Sequence, residues 1–73
     1  MKPRFCKKLV GSLVEIVWNS PEDDWPFFTV LKVKPKTGRM LLRGADYPDG
    51  TAMHEGDEFW IHAIEVAQIR VLS

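Results

Sequence analysis

The chain has 73 residues, room for one domain spanning 1–73 and no more. Ten Lys and Arg balance ten Asp and Glu, which argues against a nucleic-acid binder of the strongly basic kind. The single cysteine, Cys6, excludes an intrachain disulfide and suits a reducing compartment.

A core this small is marginal alone, so self-association is an expected source of stability. The charges are unevenly spread. Lys2, Arg4, Lys7 and Lys8 make a basic N-terminal lead-in over residues 1–8, and Lys32, Lys34, Lys36, Arg39 and Arg43 make a second basic stretch. Acid collects at Glu22, Asp23 and Asp24 and again at Glu55, Asp57 and Glu58. A local basic patch still meets phosphate when net charge is zero. The apolar run Leu9-Val10-Gly11-Ser12-Leu13-Val14 is broken at Glu15, too early for a membrane span or a signal peptide, and the expectation is a cytoplasmic protein without membrane contact.

Five Pro and five Gly punctuate the chain at short intervals, which favours strands over helices. Residues 12–18 read as a first strand, with Val14, Ile16 and Trp18 on one face and Leu13, Glu15 and Val17 on the other. Residues 19–24 read as a loop. Residues 27–34, rich in aromatic and β-branched types, read as a second strand. Pro35-Lys36-Thr37-Gly38 is a tight turn, and residues 39–44 close a hairpin in which Met40 and Leu42 alternate with Arg39, Leu41 and Arg43.

Asp46-Tyr47-Pro48-Asp49-Gly50 opens a longer loop. Residues 57–62 form a fourth strand, with Phe59 and Ile61 facing one way and Glu58, Trp60 and His62 the other. The stretch 62–66 is too short for an α-helix and reads as one 3-10 turn. Residues 67–72 form a fifth strand, with Ile69 and Val71 inward and Gln68 and Arg70 outward.

The hairpin from Trp25 to Arg43, followed by Asp46-Tyr47, resembles the central hairpin of Tudor-like domains, and residues 61–69 resemble the 3-10 turn and last strand of SH3-like barrels. The resemblance covers residues 12–72 and implies an all-β fold: a five-stranded SH3-like (Tudor-like) barrel with a short 3-10 turn before the last strand. It also implies a binding module, in which an aromatic cage for a methylated Lys or Arg would fall on Trp18 or Trp25, Phe28 and Tyr47, beside Asp46. In so small a chain core packing is the simpler role for these rings. The end of the chain also resembles plasmid-borne dihydrofolate reductases, SH3-like tetramers whose pore carries a Gln-Ile-Tyr segment. The matching slot here is Trp60-Ile61-His62, so the ligand-contacting Gln is absent and that activity is not implied.

His54, Glu55, Asp57 and His62 lie close in sequence but make no recognised ligand spacing, and no metal or other cofactor is expected. Cys6 has no accompanying histidine or glycine-rich turn, so no catalytic residue is assigned and the chain is not expected to be an enzyme. The function expected is a non-enzymatic binding or adaptor module acting by protein–protein contact, homo-oligomerisation included. Its surface would be the aromatics that the inward faces do not require, Trp60, Trp25, Phe27 and Tyr47, with His62. The alternative is nucleic-acid binding by Lys32, Lys34, Arg39 and Arg43, which share one face of the hairpin.

Overall fold

The computed structural model describes residues 6–20 and 25–73, so Lys2, Arg4 and the acidic run Glu22-Asp23-Asp24 lie outside the described residues. It is all-β: β1 (Leu13–Trp18), β2 (Phe27–Lys34), β3 (Arg39–Gly44), β4 (Glu58–His62) and β5 (Val66–Val71). Two 3-10 turns accompany them, at Lys7–Leu9 and Ala63–Glu65. The strands form one antiparallel sheet in the order β4-β3-β2-β1-β5. Observed and expected boundaries agree within a residue. Gly38 ends the β2–β3 turn at φ 68°, a left-handed conformation that glycine enters without strain.

One face of the sheet carries the whole core: Val14, Ile16, Phe28, Val30, Val33, Met40, Leu42, Ile61 and Val66. Among the described residues no second layer covers it, so the sheet covers itself. The second 3-10 turn shows how far it curls. In this order β4 and β5 run in the same direction, yet only three residues join them. A flat sheet would separate these strands by about 19 Å across its width, and by a strand length besides. The link from His62 to Val66 reaches at most about 14 Å. Coiling alone reconciles the two. The turn is tied to both sides of the coil, since Asn19 N–H at the end of β1 donates to Glu65 O at 2.9 Å and Ala63 N–H donates to Gly38 O at 2.8 Å. β4 and β5 are not hydrogen-bonded to each other, and the sheet stays open along that seam.

Two irregularities allow the bend. The β2–β3 register shifts between Val30 and Lys32, leaving Leu31 as an extra residue, and the β1–β5 register shifts where Val17 and Trp18 pair with Gln68 and Val66. Extra residues of this kind bend a strand and increase its local twist. The turn before β5 has a reciprocal cap: His62 Nδ1 accepts from Ile64 N–H at 3.2 Å, while Glu65 Oε2 accepts from His62 N–H at 2.7 Å. Val71, expected inward, is 57% exposed, as the last residue of the edge strand β5. Ahead of β1, Lys7–Leu9 forms a 3-10 turn and Leu9 packs against the core.

Phe28 sits at the centre, 1% exposed, with its ring edge-to-face against Trp18 and Phe59 at 5.9 and 5.4 Å. Phe28→Ala should cost about 3–5 kcal/mol, enough to unfold much of a domain this small. Circular dichroism in a urea titration checks this; a midpoint near that of the parent chain would contradict the coiled core.

Candidate nucleic-acid interface

The outer face of β2, β3 and β4 gathers the basic residues and one large exposed aromatic. Cross-strand pairing sets them in rows. Lys34 faces Arg39, which faces His62; Lys32 faces Leu41, which faces Trp60; Thr29 faces Arg43, which faces Glu58. Trp60 is 45% exposed, and Lys34 Nζ lies over its ring, 5.0 Å from the centroid. At an exposed site such a contact contributes roughly 0.5–1 kcal/mol. Arg43 folds back over Gly56, its Nε 3.2 Å from where a Cβ there would stand. Lys32, Lys34 and Arg39 are exposed. The one ion pair among the described residues, Arg70 with Glu15 at 3.3 Å, lies elsewhere.

The extra residue in β2 creates this face. Strict alternation from the buried Phe28 and Val30 would turn Lys32 and Lys34 inward and Val33 outward. Leu31 absorbs one step, so Val33 reaches the core and both lysines reach solvent. Beside this face, Lys7, Lys34 and Lys36 border a concavity of about 480 Å³ floored by Val33 and Pro35. Lys34 therefore belongs both to the aromatic face and to a triple-lysine rim.

The other expected partner-binding aromatics are elsewhere and serve another purpose. Trp25, Phe27 and Tyr47 pack on one another, with Trp25–Tyr47 and Phe27–Tyr47 centroids 4.9 and 4.8 Å apart. The Trp25 indole N–H donates to Ala45 O at 2.8 Å, and the Trp18 indole N–H donates to Trp25 O at 2.9 Å. These bonds join the entry to β2, the end of β1 and the long loop, so the three rings are half-buried mortar. The expected surface thus divides in part: Trp60 and His62 stand on the outer face, Trp25, Phe27 and Tyr47 are packed together, and Trp25 and Trp60 meet only at a shared concavity.

His54, which sequence reasoning leaves as a loop residue, completes that cluster. Its ring lies 5.0 Å from Trp25, its Nδ1 accepts from Gly56 N–H at 2.9 Å, and its own N–H donates to Asp46 Oδ1 at 2.9 Å. It rests directly on Gly44, where a Cβ would overlap the imidazole. The only signal in the sequence was the glycine ending β3. At the loop tip, the Thr51 side chain and then its backbone N–H hold the Asp49 carboxyl below the usual carboxylate range. That small contribution to the folded state is present above the ordinary carboxylate pKa and is lost as pH falls through the lowered value.

The positions matching an aromatic cage come together only in part. Phe28 is core, Tyr47 packs against Trp25 and Phe27, and Asp46 is turned to the His54 backbone. Trp18, Trp25 and Phe28 do line one concavity of about 640 Å³, with Phe59, Trp60 and Glu65, in the open seam beside β4. Its acid, Glu65, is held by the His62 N–H. The described residues contain no cluster of three His, Cys, Asp or Glu side chains able to hold a metal, and Cys6 is exposed. No helix among them is long and apolar enough to cross a membrane. Comparison with protein-family models, with curated proteins and with solved structures finds no match.

Gly44→Ala should destabilise the domain by about 1–3 kcal/mol, because the new methyl must displace the His54 ring. The double variant Gly44→Ala with His54→Ala should lose much less than the sum of the two single changes, as residues in contact do. Additive losses in urea unfolding would show that the ring does not rest there.

Proposed function

We propose that this chain is a non-enzymatic binding module, an SH3-like, Tudor-like small barrel, whose outer β2–β3–β4 face holds a single-stranded nucleic acid. The strand order and the 3-10 turn before the last strand support the fold assignment. The single observation that carries the function is the half-exposed Trp60 standing among Lys32, Lys34, Arg39 and Arg43, with Lys34 over its ring. A base stacks on an indole irrespective of sequence, and flanking cations meet the phosphates on either side. Zero net charge is compatible with this arrangement because the charges are segregated: the face holds one acid, Glu58, against four strong bases. The triple-lysine rim at Lys7, Lys34 and Lys36 extends the basic track around the hairpin turn. Protein contact is a second reading, favoured by a different feature, the unpaired edge of β4.

Fluorescence anisotropy with a labelled single-stranded oligonucleotide tests the primary reading. Trp60→Ala should weaken binding by about 1–3 kcal/mol, or roughly 5- to 150-fold. Four phosphate contacts on a single strand imply a slope of log affinity against log salt near −3, about −0.7 per contact. Neutralising Lys32 and Arg39 to Gln should bring that slope close to about −1.4. Absence of binding at low salt, or binding indifferent to Trp60, would dispose of the proposal.

A further inference from the structure

The free edge of β4 is complementary to itself. The Gly44 N–H donates to Asp57 O at 3.0 Å, which fixes the ladder between β3 and β4. In an antiparallel pair hydrogen-bonded and non-bonded positions alternate, so Phe59 and Ile61 bond to β3, whereas the backbone groups of Glu58, Trp60 and His62 point to the open side. No strand among the described residues pairs there. Proteins normally guard such an edge with lysine, proline or a bulge. The residues Glu58-Phe59-Trp60-Ile61-His62 contain neither lysine nor proline, and their pairing with β3 shows no register shift.

We propose that two copies of this chain pair antiparallel along β4 about a two-fold axis at Trp60. Antiparallel pairing requires opposed residues to present backbone groups toward each other and side chains to the same side. Glu58 and Trp60 meet both conditions, because both point their backbone outward and lie on the outer face, while His62 offers its carbonyl, its N–H being held by Glu65 Oε2 at 2.7 Å. With Trp60 on the axis, it faces Trp60 of the second copy. Glu58 then faces His62 of the second copy, an acid against an imidazole, and the reciprocal pair repeats this. On the inner side Phe59 faces Ile61 of the second copy. The concavity of about 640 Å³ in the open seam, bordered by Trp18, Phe59 and Trp60, lies alongside this edge.

The β5 edge is the competing choice. There the Leu72 N–H to Leu13 O bond at 2.8 Å directs Gln68 and Arg70 toward β1 and leaves Ile69 and Val71 outward. Self-pairing about Ile69 would set Arg70 opposite Gln68, with no opposed charge, and Arg70 already holds Glu15. Charge complementarity and the exposed indole favour β4.

The pairing would place two Trp60 rings side by side and join both basic hairpins into one surface on the same side of a continuous sheet. This doubled surface rests on the function proposed above; the dimer itself does not. Its test needs no nucleic acid.

Light scattering on a sizing column should give twice the chain mass of 8.4 kDa. Glu58→Pro removes an open-side N–H at the first residue of an edge strand, where proline is tolerated, and should give a folded monomer by mass and circular dichroism. In a Cys6→Ser background, Trp60→Cys should form an intermolecular disulfide under mild oxidation, since opposed bonded residues stand about 5.5 Å apart between Cα atoms. Ile69→Cys in the same background should not. A monomeric parent chain at 100 μM (about 0.8 g/L), or cross-linking through Ile69→Cys and not through Trp60→Cys, would overturn the proposal. Nucleic-acid binding by a monomer would leave the functional reading standing without the dimer.

Discussion

A single sheet with one apolar face and no helix to cover it has to bury that face against itself. Everything distinctive in this molecule follows from that constraint. Nine core side chains from all five strands meet in one cluster, and they meet because the sheet coils until a three-residue turn joins its two edges. Coiling strains regular pairing, and the strain is relieved by one extra residue in β2 and another irregularity where β1 meets β5. The first of these also reverses the inward and outward alternation of β2. The residue that bends the strand is therefore the one that delivers Lys32 and Lys34 to solvent and Val33 to the core.

The three tryptophans show how hydrogen bonding sorts structural aromatics from available ones. A buried or half-buried indole needs a partner for its N–H. Trp18 and Trp25 have carbonyl partners and stitch separate segments together. Trp60 has no such bond among the described residues, is half-exposed, and has a lysine over its ring. Its neighbours across the sheet are basic rather than apolar, so the exposed ring sits in a setting suited to an anionic, stackable partner.

The seam left by incomplete closure gives the domain a second chemical character. Along it, β4 presents backbone donors and acceptors beside an apolar concavity, whereas its outer side presents charge. Backbone pairing along the edge and side-chain binding on the face use different atoms of the same strand. The two are compatible, because alternation in a strand separates bonding direction from the opposite-facing side chains.

Much of the fold was legible in residue order. Alternation in residues 13–18 and 39–44, the Pro35–Gly38 turn and the short segment before Val66 identified the strands, the hairpin and the 3-10 turn, since these are local properties of backbone and side-chain period. The basic hairpin face was legible as well, although for β2 the route to it was not, because a bulge leaves no mark in a run of Val, Leu and Lys. The packing of Trp25, Phe27 and Tyr47 on one another was decided only by the tertiary structure: rings distant in sequence pack where a loop folds back, and residue types do not encode that return path. The place of His54 on Gly44 and the open seam were decided in the same way. The sequence by itself determined which residues alternate and where the chain turns; the coil determined which of those faces met each other and which met water, because closure depends on the summed twist of all the strands.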